Sequence, residues 1–290
     1  MAKNLDINKY SLNKDEFNQQ VDNLARSSLK LQVILHQYQV TNDEFVNNIV
    51  KFIDLKEYLE NPEHCFFGYE IFRDEKNVLR FKKIPANKEI AELMSIQNNL
   101  WLSDISNNNV NLRLNKTTIV SEKQSELENR FNLIQKTLGT QDNIKLKGVY
   151  AFSNDILHNS KLAQAFANEL AIANIKVIYI KTQDLFKKLI SGFEDNMSQN
   201  SQIISILERS DVLILDEMGN ESTNSWFLFE VISQILSRRL DLGKLNIFFS
   251  NLSINQLSSY YLNHRALKAE KHKILALIQK IQDCTIEINF

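Results

Sequence analysis

Two adjacent carboxylates, Asp216 and Glu217, stand directly after the apolar run Val212–Leu215. The run predicts a buried strand of a parallel sheet, which would deliver both side chains at its carboxyl end. A carboxylate in that position can hold a Mg²⁺ ion, and its neighbour can orient or activate the water that attacks a phosphate. A strand that ends in an ordinary polar loop would have the same residues, so the pair alone does not separate catalysis from structure.

A strand–loop–helix unit, Gly148–Ala171, precedes this pair. A phosphate-binding loop needs a strand, bare backbone N–H groups and a helix N-terminus. The stretch in that place consists of Ser153, Asn154, Asp155, Ile156, Leu157, His158, Asn159 and Ser160. Against the pattern G-x-x-x-x-G-K-[ST], both glycines are absent and Asn159 replaces the lysine. The Ser160 hydroxyl remains as a Mg²⁺ ligand, Lys161 comes one residue late, and Asp155 adds negative charge where phosphates would lie.

Asn251 follows a further apolar run, Asn246–Ser250. This run predicts another buried strand, so the Asn251 amide would lie at the same sheet edge as the two carboxylates. A polar side chain there could hold the attacking water near a terminal phosphate. It could equally cap the helix predicted from Ser253 onward, and both interpretations stay open.

The most basic stretch of the chain is the predicted helix His264–Lys280. Its apolar residues fall on one side and its basic residues on the other. Lys268, Lys271 and Lys273 are the candidates for contact with a DNA backbone, because lysine side chains neutralise phosphates. A solvated helix face would have the same charges, and this alternative also stays open.

Strands and helices alternate from Lys147 onward. The apolar runs GVYAF, KVIYI, VLILDE, NIFFSN and CTIEINF predict five strands, the last of them at an edge. Helical periodicity fills the intervals between them. This alternation is typical of an α/β fold with a mostly parallel five-stranded sheet, whose ligands bind beyond the carboxyl ends of the strands. We therefore expect Asp216 and Glu217 to face the 153–160 loop.

The first part of the chain has a different pattern. Apolar residues recur at helical spacing through residues 14–60. The stretch Phe66–Ile84 predicts two short strands joined by a turn at Asp74–Asn77. A further helix is predicted over residues 87–100. The expected architecture is a smaller, mainly helical region with one hairpin.

The polar, asparagine-rich stretch Ser103–Thr118 predicts a loop or linker. We therefore predict an N-terminal domain over residues 1–120 and an α/β domain over residues 147–290. Between them, residues 121–146 are expected to form a linker helix and loop.

Composition and charge exclude several classes of protein. The chain has 290 residues and a net charge of −1, so any DNA contact must come from a local patch. Its two cysteines, Cys65 and Cys284, form neither a disulfide framework nor a four-thiolate zinc site. The first residues lack the apolar core of a signal peptide, and no run approaches about 18 apolar residues. These features predict a cytoplasmic protein without membrane contact.

Together, these segments resemble the DnaI/DnaC/IstB group of AAA+ helicase loaders, which are P-loop ATPases of the bacterial primosome. The resemblance extends from about Lys147 to Ile288. It is carried by GVYAF with AFANELA, by VLILDEMGNESTNSW, by ILSRRL and by FFSNLSINQL. A weaker similarity to the N-terminal region of the DnaI members is seen in NDEFVNNIVKFIDLKEYLEN and FFGYEIF.

The resemblance implies that the N-terminal region docks on the replicative helicase, while the AAA+ module contacts ATP and single-stranded DNA. It implies phosphate binding by residues 153–161, Mg²⁺ held through the nucleotide by Ser160 and Asp216, and water placement by Glu217 and Asn251. In this group an arginine reaches the nucleotide of a neighbouring subunit, so homo-oligomers are also implied. Arg239, in ILSRRL, is the candidate for such trans action, with a solvated helix face as the alternative.

Several departures from the group bear on catalysis. The arginine-finger position is Leu277, and a second expected arginine is Leu228. An arginine finger contributes a factor of about 10³–10⁵ in rate, so ATP hydrolysis is expected to be weak or absent. The zinc-binding cysteine cluster of the DnaI members is reduced to Cys65 beside His64, and two ligands cannot hold a structural zinc. No zinc is therefore expected.

Three functions remain open from the sequence. The first is a helicase loader with a degenerate nucleotide site, which binds the replicative helicase and assists its loading on single-stranded DNA. The second is a non-catalytic AAA+ adaptor, and the third is an IstB-like transposition helper. Whether ATP with Mg²⁺ binds at all is a question for a nucleotide titration.

Overall fold

The computed structural model describes residues 23, 27–106, 109–116, 122–139, 146–195 and 197–290. The chain divides into two compact units, Met1–Met94 and Ser95–Phe290. No described helix has the length and apolar character needed to cross a lipid bilayer.

The first unit packs three helices against a hairpin, as the pattern predicts. Its elements are α1 (Leu29–Gln37), α2 (Asn42–Asn47), α3 (Ile49–Glu60), a 3₁₀ turn (Pro62–His64), β1 (Phe67–Arg73) and β2 (Leu79–Pro85). The strands are antiparallel. The buried core consists of Leu31, Phe45, Phe52, Leu55, Ile71 and Leu79. The predicted helical residues 14–22 and 24–26 lie outside the described part of the chain.

The hairpin turn lies at Asp74–Asn77, where the sequence predicts it. The Asp74 carboxylate accepts the backbone N–H groups of Lys76 and Val78, at 3.0 and 2.9 Å. Asn77 adopts the left-handed backbone conformation with φ 60°, which asparagine tolerates better than most residues. The local chemistry of the turn therefore fixes the register of the hairpin.

A bidentate ion pair ties the hairpin to the helices of the first unit. The Arg73 guanidinium donates to both oxygens of Glu44, at 2.9 and 3.0 Å. It also donates to the carbonyls of Tyr38, Gln39 and Asn77. The hydrogen bond from Arg73 is the largest cause that lowers the pKa of Glu44, to about 2.

The second unit is an α/β sandwich. Its helix α4 (Lys88–Asn99) crosses the division between the units and leads into β3 (Leu100–Ser103). The remaining elements are a 3₁₀ turn (Leu114–Lys116), α5 (Glu122–Gly139), β4 (Gly148–Phe152), α6 (Ile156–Ile172), β5 (Val177–Lys181), α7 (Thr182–Asp195), α8 (Met197–Arg209), β6 (Val212–Asp216), a π-helical segment (Trp226–Ile232), α9 (Ser233–Asp241), β7 (Leu245–Ser250), α10 (Ile254–Asn263), a 3₁₀ turn (Arg265–Leu267), α11 (Lys271–Cys284) and β8 (Thr285–Asn289).

The sheet of the second unit is parallel throughout and has the strand order β3-β5-β6-β7-β4-β8. Alternate residues of each strand enter different cores. In β4, Tyr150 joins one core, while Val149 and Ala151 join the other. The helices cover both faces, so the apolar strand runs are buried, as a parallel sheet requires.

The predicted α/β class is confirmed, but the sheet has six strands and not five. The additional strand is β3, which pairs with β5 and was expected to fall at a helix end and the start of a loop. This pairing also moves the boundary between the units from the expected residue 120 to 94/95. The segment after residue 95 belongs with the sheet because its backbone hydrogen-bonds there.

The helix predicted as a linker is part of the second core. Leu127, Phe131 and Ile134 of α5 are fully buried. The ring of Phe131 stacks on that of Phe166 in α6, with centroids 3.9 Å apart. The burial of three apolar side chains on one helical face explains why α5 packs on the sheet and does not span between domains.

Candidate functional site

A side chain of the loop after β4 caps the N-terminus of the helix that follows. Asp155 is the N-cap of α6, and its carboxylate accepts the backbone N–H of His158 at 3.0 Å. The side chains of Ile156 and Leu157, which follow, are exposed. An aspartate at this position satisfies one of the free N–H groups and places a negative charge at the positive end of the helix.

Asn159 is locked between two strand ends. Its side chain is buried, and its Nδ2 donates to the carbonyls of Ser153 and Ser250, at 3.1 and 2.9 Å. The Ser153 hydroxyl donates to Asn159 Oδ1. The residue at the lysine position of the loop pattern therefore points into the protein and joins the end of β4 to the end of β7.

Ser160 and Asp216 lie together, as expected, and are hydrogen-bonded to each other. Ser160 Oγ donates to Asp216 Oδ2 at 2.6 Å. The Tyr179 hydroxyl donates to the same oxygen at 2.6 Å, and the Glu217 backbone N–H donates to Oδ1 at 2.8 Å. Burial raises the pKa of Asp216 above its ordinary value, and the Ser160 and Tyr179 hydrogen bonds oppose that rise.

The hydrogen-bond chain continues away from Asp216. Gln164 Nε2 donates to the Tyr179 hydroxyl at 3.2 Å, and Asn109 Nδ2 donates to Gln164 Oε1 at 2.8 Å. Burial, followed by the charge of Asp216, raises the pKa of Tyr179, so this phenol acts as a neutral donor. The carboxylate of Asp216 therefore receives three hydrogen bonds from within the protein.

Glu217 forms an ion pair. Lys181, at the end of β5, places its ammonium 2.6 Å from Glu217 Oε1, and both side chains are partly buried. Burial alone would lower the pKa of Lys181, but the hydrogen bond and charge of Glu217 outweigh it, so the pKa is raised. Glu217 adopts the left-handed backbone conformation with φ 57°, and Gly219 follows with φ 97°, which glycine accommodates without steric cost.

A cavity of about 490 Å³ lies beside the loop. Its walls include Ser153, Asn154, Asp155, His158 and Asn251, so five of the predicted site residues meet there. Asn251 does follow its strand, as predicted, and its buried Oδ1 has no hydrogen-bond partner among the described residues. Lys161, in contrast, is exposed on α6 and does not line this cavity.

The expectation that Arg239 acts across a subunit boundary is overturned by its burial. The side chain is fully buried, and its guanidinium donates to the carbonyls of Leu207, Ser210 and Leu245 and to Asn246 Oδ1, at 2.6–2.9 Å. Burial lowers its pKa to about 9. All three nitrogens of the guanidinium donate to partners inside the protein, and a fully buried side chain does not reach a neighbouring subunit.

Of the other candidate residues, two are buried in the core and three are exposed on the surface. Leu228 and Leu277 are fully buried in the core on one face of the sheet. The DNA-contact candidates Lys268, Lys271 and Lys273 are exposed, and Lys273 pairs with Glu270 at 3.3 Å. Their exposure is compatible with both interpretations of the basic helix.

Three further residues of the site were not predicted from the sequence. Tyr179 and Lys181 lie on β5, whose parallel register places Lys181 opposite Asp216. The third is Glu221, a buried carboxyl that accepts hydrogen bonds from Tyr261 and from the Gly219 N–H. A polar residue ending the strand beside VLILDE is the signal that would have identified Lys181. Among the described residues, no group of three or more histidine, cysteine, aspartate or glutamate side chains has metal-binding geometry.

The sequence of this chain is similar to that of a protein of known function. No family model matches the chain. The chain is 26% identical over 137 residues to the replicative helicase loader DnaI of Bacillus subtilis (strain 168), a match that spans 47% of this chain and 43% of that protein.

Solved structures give the same picture of the fold. A DnaI structure superposes with a TM-score of 0.56 at 17% identity, over 67% of this chain and 95% of that one. AMPPCP-bound DnaA from Aquifex aeolicus superposes with a TM-score of 0.50 at 16% identity, over 65% of this chain and 51% of that one. The sequence match and the superpositions agree with each other: the chain is similar in sequence to the replicative helicase loader DnaI, and it has the α/β fold of the DnaI structure.

Proposed function

We propose that this protein is a helicase-loading adaptor: it binds the replicative DNA helicase and assists its placement on single-stranded DNA without hydrolysing ATP in its own site. The relationship to DnaI supports the biological role. The internal hydrogen bonds of the loop after β4 support the mechanism, because they use the groups that would otherwise hold phosphates and Mg²⁺.

The observation that carries this proposal is the bond from Ser160 to Asp216, at 2.6 Å. These two side chains are the pair that would hold Mg²⁺ beside a nucleotide. Each is already the partner of the other, and the Asp155 carboxylate caps the helix where phosphates would approach. A triphosphate does not fit this set of groups, because the loop offers it a negative charge and no cation.

The groups that accelerate hydrolysis are also occupied or replaced. Lys181 neutralises Glu217, Leu277 is buried in the core, and Arg239 is bonded internally. A trans-acting arginine contributes a factor of about 10³–10⁵ in rate. Its loss, added to the loss of the phosphate cradle, favours a fixed AAA+ scaffold over a nucleotide-driven motor.

The helicase is proposed to bind the first unit. Its exposed apolar side chains include two pairs on helices: Leu29 (80%) and Val33 (64%) on α1, and Val50 (67%) and Ile53 (48%) on α3. Spacings of four and three residues place each pair on one side of its helix. Exposed apolar side chains grouped in this way are typical of protein-binding surfaces.

The binding claim is tested with the full chain. Replacing Leu29 and Val50 together by aspartate should weaken helicase binding at least tenfold, measured by pull-down and by biolayer interferometry, because both changes put charge into the apolar surface. The matched control replaces Leu242 and Leu275, exposed in the second unit, by aspartate. Equal binding by both double variants and the unaltered chain would contradict binding through the first unit.

The loading claim needs a separate measurement. The helicase retained on closed circular single-stranded DNA is isolated by gel filtration, with and without this protein. An increase in retained helicase supports a loader. Binding of the helicase without any increase would contradict the loading step and leave an adaptor that only associates.

A further inference from the structure

The cavity beside the loop after β4 is lined mainly by polar side chains and aromatic rings. Five of its ten lining residues have side-chain amides. They are Gln124, Asn154, Asn251, Gln256 and Asn289. The volume of about 490 Å³ lies within the range of about 300–1,000 Å³ that small-molecule sites occupy. Amides both donate and accept hydrogen bonds, which suits a neutral ligand with both kinds of group.

The formal charge at the cavity is negative. Among the described residues that line it, Asp155 has the only carboxylate side chain, and none is a lysine or an arginine. Asp155 is exposed and uses Oδ1 for the helix cap. A second carboxylate oxygen can therefore accept from a hydroxyl group, whereas a phosphate would meet like charge there.

Aromatic rings form another part of the wall. Phe152, His158 and Phe290 all line the cavity, and the rings of His158 and Phe290 lie 6.2 Å apart, inclined by 48°. A backbone hydrogen bond from Phe290 N–H to the Phe152 carbonyl, at 3.2 Å, fixes the position of Phe290. A planar base stacks favourably on such a ring, and stacking tolerates any base.

We propose that this cavity binds a nucleoside and discriminates against its phosphorylated forms. The base stacks on Phe290, its edge meets the amides, and the sugar hydroxyls approach Asp155. The inference rests on the proposed function in one respect, namely that the loop does not cradle phosphates.

The test is a calorimetric titration of the full chain with adenosine, guanosine, cytidine and uridine, and with the triphosphate of each, with and without Mg²⁺. The best nucleoside should bind at least tenfold more tightly than its own triphosphate. A P-loop site would give the reverse order, because most of its contacts are made to phosphates.

Two variants assign the preference to particular residues. Asp155→Asn keeps a good helix cap and removes the charge, so it should raise triphosphate affinity at least tenfold and change nucleoside affinity less than threefold. Phe290→Ala should weaken nucleoside binding at least tenfold by removing the stacking surface. Phe72→Ala, at an exposed ring of the first unit, is the matched control and should change nothing.

The outcomes separate this inference from the proposed function. If no nucleoside binds at up to about 1 mM and no triphosphate binds either, the inference fails while the helicase-adaptor proposal stands. If a triphosphate binds more tightly than its nucleoside, the inference fails, and so does the argument in the proposed function that a triphosphate does not fit this loop. An unchanged triphosphate affinity in Asp155→Asn would overturn the role of that carboxylate and with it the proposed discrimination.

Discussion

The turn after β6 and the loop after β4 meet at the candidate site, and they differ in how closely their side chains match a nucleotide-hydrolysing site. The turn after β6 presents Asp216 and Glu217, the acidic pair expected of a nucleotide-hydrolysing site. The loop after β4 lies between a strand and a helix, where a phosphate-binding loop would lie, but its side chains bond inward. Asn159 joins the ends of β4 and β7, and Asp155 caps the helix. The acidic pair therefore lies beside a loop whose side chains bond to the protein itself.

Carboxylates at the end of a strand can serve the fold as well as catalysis. Asp216 is held by Ser160 and Tyr179, and Glu217 by Lys181. Each carboxylate has a partner on the neighbouring strand or helix. Such partners offset the free-energy cost of burying a charged group, so the contacts are sufficient for a structural role. Substitutions in the loop after β4 and in the turn after β6 should differ in the size of their effects.

The largest effect is expected at the loop. Asn159→Lys, which supplies the lysine of the phosphate-loop pattern, should lower the free energy of unfolding by about 3 kcal/mol or more, because it buries a charge and removes hydrogen bonds. Asn154→Lys makes the same change at an exposed position of the same loop and should shift stability by about 0.5 kcal/mol or less. Both are measured by urea denaturation.

A stable Asn159→Lys variant that also gains ATP binding would contradict this comparison. It would show that the loop can still open and cradle phosphates. Loss of stability with no gain in ATP binding would confirm that the residue at this position serves the fold.

A smaller effect is expected at the hydrogen bond between Ser160 and Asp216. Ser160→Ala should cost about 2 kcal/mol at neutral pH, because it removes a donor to the buried Asp216 carboxylate. Ser237→Ala, which removes a hydroxyl bonded to the Ser233 carbonyl, is a matched control with a loss below about 1 kcal/mol.

The pH dependence of the Ser160→Ala loss gives a further check. The Ser160 hydrogen bond lowers the pKa of Asp216, whose folded value already lies above 3.8. Removing it raises the folded pKa further, so the folded variant holds its proton to higher pH than the unfolded chain does. Stability then falls as pH rises above the unfolded pKa, and the loss should be larger at pH 8 than at pH 4. A loss independent of pH would mean that Asp216 does not feel this hydroxyl.

The smallest effect is expected at Glu217. The Glu217→Gln variant should change stability by less than about 1 kcal/mol, since its ion pair with Lys181 is partly solvated. ATP turnover, with and without helicase and single-stranded DNA, should be very slow or absent in both the unaltered chain and the variant. Robust turnover that the substitution abolishes would show that other residues have restored a working site. Glu230→Gln, on an exposed helical position, controls for the loss of charge.

Much of the fold could be predicted from apolar runs. All five predicted strands form, and so does the hairpin at Asp74–Asn77, because burial and turn chemistry act locally. Strand β3 was missed because it has only four residues, is little buried and follows a helix without a break. Its pairing with β5 is set by tertiary contact, which periodicity does not report.

The sequence predicted which residues lie at the site better than it predicted the contacts between them. The proximity of Ser160 and Asp216 follows from topology alone, since parallel strands end at one edge. The inward turn of Asn159 depends on two carbonyls far apart in the chain, Ser153 and Ser250. The burial of Arg239 likewise depends on acceptors contributed by several elements, whereas its sequence neighbourhood resembles an exposed helix end.

The partners of Arg239 have a consequence for which substitutions the protein can tolerate. Most of its acceptors are main-chain carbonyls, those of Leu207, Ser210 and Leu245. A main-chain carbonyl is present whatever residue occupies its position. Substitution of those three residues therefore leaves the acceptors of Arg239 in place. Lysine at position 239 would present one ammonium in place of a planar fork and could not reach the same acceptors together. Among relatives that diverge widely in this region, the arginine itself is therefore expected to be the position that resists change.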